Sequence, residues 1–211
     1  MERKPIIIVD VDETLWAFND ALRECAESHG YKFPTRAQCT EWGSIYKYIP
    51  KPEAIKLFDE VHEHQLDFAP FPDAREFLDT VRKQFYVIVA SHRDPSGMSV
   101  LKEWLDKYNL YYDDVFVGFD KTVLFKDPNV AVVVDDRDET LIIAKEHGLI
   151  AVGLRRPWNE HSFSVYTHYD KSFEVPLLLY DNLMQIADFL SYYNHFERIE
   201  KPKDPRSKFF R

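Results

Sequence analysis

The apolar positions of this chain fall into short runs, separated by stretches in which apolar residues recur every three or four positions. The runs lie at Ile6–Val9, Phe85–Ala90, Val115–Val117, Val130–Val134 and Leu149–Val152. Uninterrupted apolar runs of this kind predict strands buried on both faces. Helical spacing predicts helices over Asp73–Lys83, Gly97–Tyr108 and Asp138–His147. The first of these follows Pro72 and aligns Phe77, Leu78 and Val81 on one face; the third is followed by Gly148, a C-capping residue. Strands alternating with helices predict βαβ units and a parallel sheet. A late apolar run at Val175–Leu179 and a helix over Asn182–Tyr193 close the pattern, after an irregular stretch from about residue 157.

The region from about residue 17 to 69 breaks the alternation. It predicts helices over Phe18–His29 and Pro50–His64, interrupted at Gly30 to Pro34, with no strand pattern between them. Inserted after the first strand, such a segment would lie over the carboxyl ends of the sheet. Pro70-Phe71-Pro72 marks its return. The expected fold is α/β: a Rossmann-like, three-layer core on a parallel sheet, with a small helical cap inserted after the first strand. Residues 1–16 and 70–200 would form the core, 17–69 the cap, and 201–211 a basic tail.

Composition adds limits. A chain of 211 residues fits one domain, or a core plus an insertion. A net charge of −9 argues against a broad polyanion-binding surface, though a bound divalent cation can reverse the field locally. Aromatic residues at 15% leave room for an aromatic binding surface. Cys25 and Cys39 make no disulfide framework and have no zinc-finger spacing, so a reducing compartment is expected. No apolar stretch approaches the roughly 20 residues of a membrane helix. Met-Glu-Arg-Lys-Pro leads straight into a core strand, and the expected location is the cytosol.

The chemistry collects at the strand ends. The first strand runs into Asp10 and Asp12; the second ends in Ser91-His92-Arg93-Asp94; the fourth ends in Asp135-Asp136-Arg137-Asp138. Phe119-Asp120-Lys121-Thr122 follows the short third strand. In an open parallel sheet the carboxyl ends converge on one edge, where ligands bind. Four carboxylates, a hydroxyl and a lysine would then meet. Such acids repel unless a cation joins them, and Mg²⁺ prefers oxygen ligands with a substrate phosphate completing its shell. An aspartate can attack phosphorus, and a second one two residues on can move the proton.

These residues resemble the four ordered motifs of the haloacid dehalogenase-like phosphohydrolases: Asp10-Val-Asp12-Glu-Thr14, then Ser91, then Lys121, then Asp135-Asp136. The resemblance spans about residues 5–155. It implies Asp10 as nucleophile and Asp12 as general acid and base. Mg²⁺ would be held by Asp10, the Asp12 carbonyl and the acidic pair. Ser91 and Lys121, with Thr14 and Arg93 as further candidates, would bind the phosphoryl group. Lys126 competes with Lys121, and Arg93 could equally serve a structural ion pair.

Within that superfamily the helical insertion, Phe119-Asp120-Lys121-Thr122 and Val133-Val134-Asp135-Asp136-Arg137 are most similar to the 5′(3′)-deoxyribonucleotidases. That likeness implies Asp136 as the metal ligand of the pair, Phe18 beside the base, and a small phosphorylated nucleotide as substrate. Glu13, where that group has glycine, and Ser91-His92-Arg93 depart from it. Ser91-x-Arg93 with Asp135-Asp136-Arg137 also resembles polynucleotide 3′-phosphatases, the second reading. A catalytically silent binding protein is the third, and the complete set of acids argues against it.

Overall fold

A computed structural model describes residues 4–160 and 177–192. Its centre is a six-stranded sheet of β1 (Ile6–Asp10), β2 (Tyr86–Ser91), β3 (Asp114–Val117), β4 (Val130–Asp135), β5 (Ile150–Leu154) and β6 (Leu177–Tyr180). The order is β3-β2-β1-β4-β5-β6, and every pairing is parallel. The chain therefore winds outward from β1 through β2 to β3, crosses back to β4 on the other side of β1, and winds outward again through β5 to β6. β1 sits centrally, and the topological switch point opens at the carboxyl ends of β1, β2 and β4.

Alternation along each strand sorts the core into two layers. Ile7, Val9, Val87, Val89, Val132 and Val134 face one cluster; Ile8, Ala90, Val133 and Ala151 face the other. The first is covered by α3 (Ala74–Val81), α4 (Met98–Lys107) and a last helix, α6 (Leu183–Ser191). The second is covered by α5 (Asp138–Glu146) and by the 3₁₀ turn Lys121–Lys126, which contributes Phe125. This is the expected three-layer α/β arrangement. β1, β2 and β4 each continue one residue past the apolar run into the polar residue that follows, so Asp10, Ser91 and Asp135 are the last residues of their strands. Ladder pairing outranks side-chain polarity there.

Between β1 and α3 lie α1 (Phe18–Ser28) and α2 (Lys51–Glu63), joined by two short 3₁₀ turns and packed on each other. Gly30, at φ +81°, ends α1, and Pro52 opens α2 in its first turn. The segment leaves and returns at one point, because Trp16 bridges both Asp12 and Pro70. Trp16 is fully buried against Phe18, Phe68 and Trp104, an aromatic pivot at that junction. β6 and α6 fall on the late apolar run and on the helix expected over Asn182–Tyr193, while residues 161–176 and the basic tail lie outside the described residues. Among those described, no helix is long and apolar enough to cross a membrane.

Candidate active site

Asp10 ends β1 between two neighbouring strands and is buried. Burying a carboxylate costs several kcal/mol. The strand sustains it because Ile7, Ile8 and Val9 beside it are fully buried, at about 1.5–3 kcal/mol each. Lys121 also ion-pairs with Asp10 Oδ1. The same ammonium lies 2.6 Å from Asp135 Oδ2. Lys126, the competing lysine, is exposed at the far end of the turn. Asp10 Oδ2 is buried without a hydrogen-bond partner.

One oxygen from each of Asp10, Asp135 and Asp136 falls within 4.8 Å of the other two. Burial, reinforced by the charges of Asp135 and Asp12, pushes Asp10 up to about 8 in spite of Lys121. Burial and the charges of Asp10 and Asp135 also push Asp136 well above the usual carboxylate range. Three buried acids this close together fit a hard divalent cation, which would offset their mutual repulsion. Asp136 is aimed by Trp158, whose Nε1 donates to Oδ2 at 2.9 Å, while Asn159 donates to its carbonyl at 2.8 Å.

Asp12 has a different environment. Its Oδ1 accepts from Trp16 Nε1 at 2.8 Å and Arg93 Nη2 at 3.0 Å. Its Oδ2 accepts from His62 Nε2 at 3.2 Å and Ser91 Oγ at 3.3 Å. Burial alone would raise its pKa, but Arg93 and His62 outweigh it and hold the carboxyl well below the usual range. Two aspartates two residues apart are therefore driven in opposite directions, the pattern by which one site separates roles between acids.

The structure brings Asp10, Asp12, Lys121, Asp135, Asp136 and Phe18 together around one cavity of about 940 Å³. Arg93 also borders it, but its guanidinium is engaged by Asp12, by Ser91 Oγ at 2.6 Å and by Gln65 Oε1 at 2.6 Å. Those contacts are the structural ion pair that was one of the two readings open for Arg93. Ser91 is fully buried beneath Asp12. Thr14 is fully buried, its Oγ1 has no hydrogen-bond partner, and it stands apart from the cavity lining.

Glu13, the departure from the nucleotidase pattern, is buried with φ +61°. Its Oε1 accepts from the Asn19 amide at 2.6 Å in the first turn of α1, and its carbonyl accepts from Arg156 Nη2 at 2.6 Å. Burial pushes Glu13 up to about 7, against the Asn19 amide, Arg36 and Arg156.

His62 and Gln65 escape the sequence reading. A signal exists in α2: Ala54, Leu57 and Val61 form its buried stripe, and His62 sits at the stripe's edge, four residues after Phe58. Phe18 stacks on His62 at 4.9 Å between ring centroids. Trp42 and Tyr46 line the cavity from the linking turns and remain half-exposed, whereas Tyr48 turns away to pack edge-on against Phe33.

Comparison with known proteins follows the same lines. YqfW of Bacillus subtilis, provisionally named a nucleotidase, is 26% identical over 90 residues, 41% of this chain. The match spans 47% of that relative's length. A haloacid dehalogenase-like hydrolase from Streptococcus pneumoniae superposes with a TM-score of 0.63 at 14% identity, covering 88% of this chain and 98% of that one. YfnB of Bacillus subtilis, provisionally named a hydrolase of the same superfamily and solved with magnesium, gives 0.56 at 14% identity over 90% and 99%. These structures share the fold. The sequence profile of one family covers residues 4–172, and on that match the chain belongs to the 5′ nucleotidase, deoxy (pyrimidine), cytosolic type C family.

Proposed function

We propose that the protein is a Mg²⁺-dependent phosphomonoesterase that hydrolyses small nucleoside monophosphates through a phosphoryl group carried on Asp10. The observation that carries the proposal is Asp10 Oδ2. It is buried and unpartnered, its sister oxygen is fixed by Lys121, and two further carboxylates converge beside it. An aspartate held this way is a nucleophile with one free oxygen.

Asp10, Asp136 and the Asp12 carbonyl would hold the cation, with Asp135 supporting through Lys121. Mg²⁺ would supply charge neutralisation for the phosphoryl oxygens. With the cation offsetting the acids around it, Asp10 would be ionised, and its Oδ2 attacks phosphorus. Asp12, ionised at rest, takes up the proton of the monoester monoanion and hands it to the departing ester oxygen. Water then gives a proton to Asp12 as it cleaves the acyl phosphate and restores Asp10, and Asp12 passes that proton to the released phosphate. Lys121 balances charge on the transferring group. Arg93, Ser91 and Gln65 position Asp12 rather than reach substrate.

We read residues 17–69 as a cap that completes the substrate cavity. Phe18, Phe33, Trp42, Ile45, Tyr46 and Phe58 give its far wall an apolar and aromatic lining, suited to a base or another flat group. The rim carries Glu41, Asp59, Asp94, Asp120 and Glu139 against Arg137. That acidic rim disfavours a polynucleotide 3′-end and favours a small monoester.

The deciding experiment is a Mg²⁺ phosphatase screen across nucleoside 5′- and 3′-monophosphates, sugar phosphates and 3′-phosphorylated oligonucleotides, with Asp10→Asn alongside. Turnover confined to mononucleotides and lost in Asp10→Asn supports the proposal. Preference for oligonucleotides overturns the substrate, and full activity in Asp10→Asn overturns the mechanism.

A further inference from the structure

A second set of metal-ligating side chains lies away from the catalytic acids. Cys25 and His29 are four residues apart at the end of α1, hence stacked on one face, and Glu60 faces them from α2. One ligand atom from each lies within 4.8 Å of the others. None of the three lines the catalytic cavity. A thiol, an imidazole and a carboxylate are different donor types, so the group is not a patch of repelling acids.

The ring of His29 carries the argument further. Its Nδ1 lies 3.0 Å from the Cys25 carbonyl oxygen, while its Nε2 lies 3.4 Å from Glu60 Oε2. Ser28 Oγ also lies 3.2 Å from Nδ1 and donates to the same carbonyl at 2.7 Å. In the tautomer with its proton on Nδ1, the Nε2 lone pair faces Glu60 and is open to a cation between them. Histidines bound to metals show this same arrangement, one ring nitrogen on a backbone carbonyl and the other toward the ion. The last turn of α1 has no basic residue, so the negative end of its dipole adds attraction for a cation.

We propose that Cys25, His29 and Glu60 form a zinc-class divalent-cation site, with solvent as the fourth ligand, that clasps the end of α1 to α2. One thiolate, one imidazole and one carboxylate with an open position suit tetrahedral Zn²⁺ or Co²⁺, whereas Mg²⁺ keeps to oxygen donors. The two sites would therefore sort two metals. Binding breaks the Cys25 S–H bond, forms a sulfur–metal bond and releases the proton to solvent. Burial, with help from the Glu60 charge, pushes the thiol up to about 11 in the absence of metal. A cation that neutralises Glu60 removes that second cause. The clasp joins the two helices that carry Phe18 and His62, and the proposal stands whether or not the catalytic reading does.

The test is a Co²⁺ titration of the purified metal-free full chain, with Mg²⁺ in excess to fill the oxygen site. One equivalent should develop tetrahedral visible absorption and a near-ultraviolet thiolate-to-cobalt band, both erased by added Zn²⁺. Cys25→Ser should lose the thiolate band, and Cys39→Ser should keep it. His29→Gln and Glu60→Gln, changes on partly exposed positions, should each weaken Co²⁺ binding at least roughly tenfold. Absence of the band at one equivalent, its survival in Cys25→Ser, or unaltered affinity in both His29→Gln and Glu60→Gln would overturn the site.

Discussion

His62 Nε2 donates to Asp12 Oδ2 at 3.2 Å, which ties the second helix of the inserted segment to the loop after β1. Four donors meet on that carboxylate, and His62 is the one contributed by α2. The proposed proton carrier is thus aimed correctly only when α2 is packed over the site. His62→Ala leaves three donors, so the loss should be one charged hydrogen bond at the low end, about 1.5 kcal/mol. Steady-state kinetics should find kcat down by roughly tenfold and KM little changed. An unchanged kcat would mean that His62 only fills space beside Phe18.

Glu13 allows a prediction whose sign separates backbone strain from lost contacts. At φ +61° a side chain costs about 1–2 kcal/mol that glycine does not pay. Its carboxylate offsets this by accepting from the Asn19 amide and pairing with Arg36. Glu13→Gly and Glu13→Ala lose the same contacts, while Arg156 keeps its bonds to the carbonyl. The alanine variant should therefore be the less stable of the two by about 1 kcal/mol in urea denaturation. Equal stability would show that the loop relaxes out of the left-handed region.

How much of this was legible in the sequence depends on whether a signal is local. β1 through β5, α3, α4 and α5 were visible because buried parallel strands are continuous apolar runs and their crossover helices have one apolar face. Asp10, Asp135 and Asp136 were visible because carboxylates ending such strands conflict with burial unless used. Lys121 could not be separated from Lys126 by spacing; the 3₁₀ turn puts Lys121 among the acids and Lys126 outside them. His62 and Gln65 reach the site only through the packing of distant segments, at sequence separations of 50 and 28 from Asp12 and Arg93. Nothing in their own neighbourhoods states the partner. Arg93 shows the reverse case, a residue whose local motif suggested phosphate and whose tertiary contacts engage it elsewhere.

Gly153 marks where backbone proximity limits the site. It pairs with Asp135 across β4 and β5, and a Cβ there would stand 2.7 Å from the Asp135 carbonyl oxygen and 2.7 Å from a Leu141 methyl. A carbonyl inside a ladder cannot move aside cheaply. Gly153→Ala should cost about 1–3 kcal/mol by overpacking, read as a lower urea midpoint at unchanged slope. Because the strain falls on the residue that anchors Lys121, kcat should fall as well. A stable and fully active variant would show that β5 can separate from β4 without disturbing Asp135.

Trp158 tests whether Asp136, the proposed metal carboxylate, is held in place before the ion arrives. Its indole Nε1 donates to Asp136 Oδ2 at 2.9 Å, and Trp42 packs edge-on against the same ring at 6.4 Å. Trp158→Phe preserves an aromatic body in that slot and deletes the donor. Removing a partner that orients a metal ligand typically weakens metal binding 10–100-fold, roughly, without removing the ligand. The Mg²⁺ concentration for half-maximal activity should therefore rise by that factor, and saturating Mg²⁺ should restore kcat. Asp136→Asn, which damages the ligand itself, should stay inactive at every Mg²⁺ concentration. Thermal unfolding gives a readout independent of turnover. Mg²⁺ at a hundred times its Kd should add about 2.7 kcal/mol to the wild-type protein. Trp158→Phe should need 10–100-fold more, roughly, for the same gain. An unaltered Mg²⁺ requirement in Trp158→Phe would mean that the strand end alone fixes Asp136, and that the indole serves only the packing against Trp42.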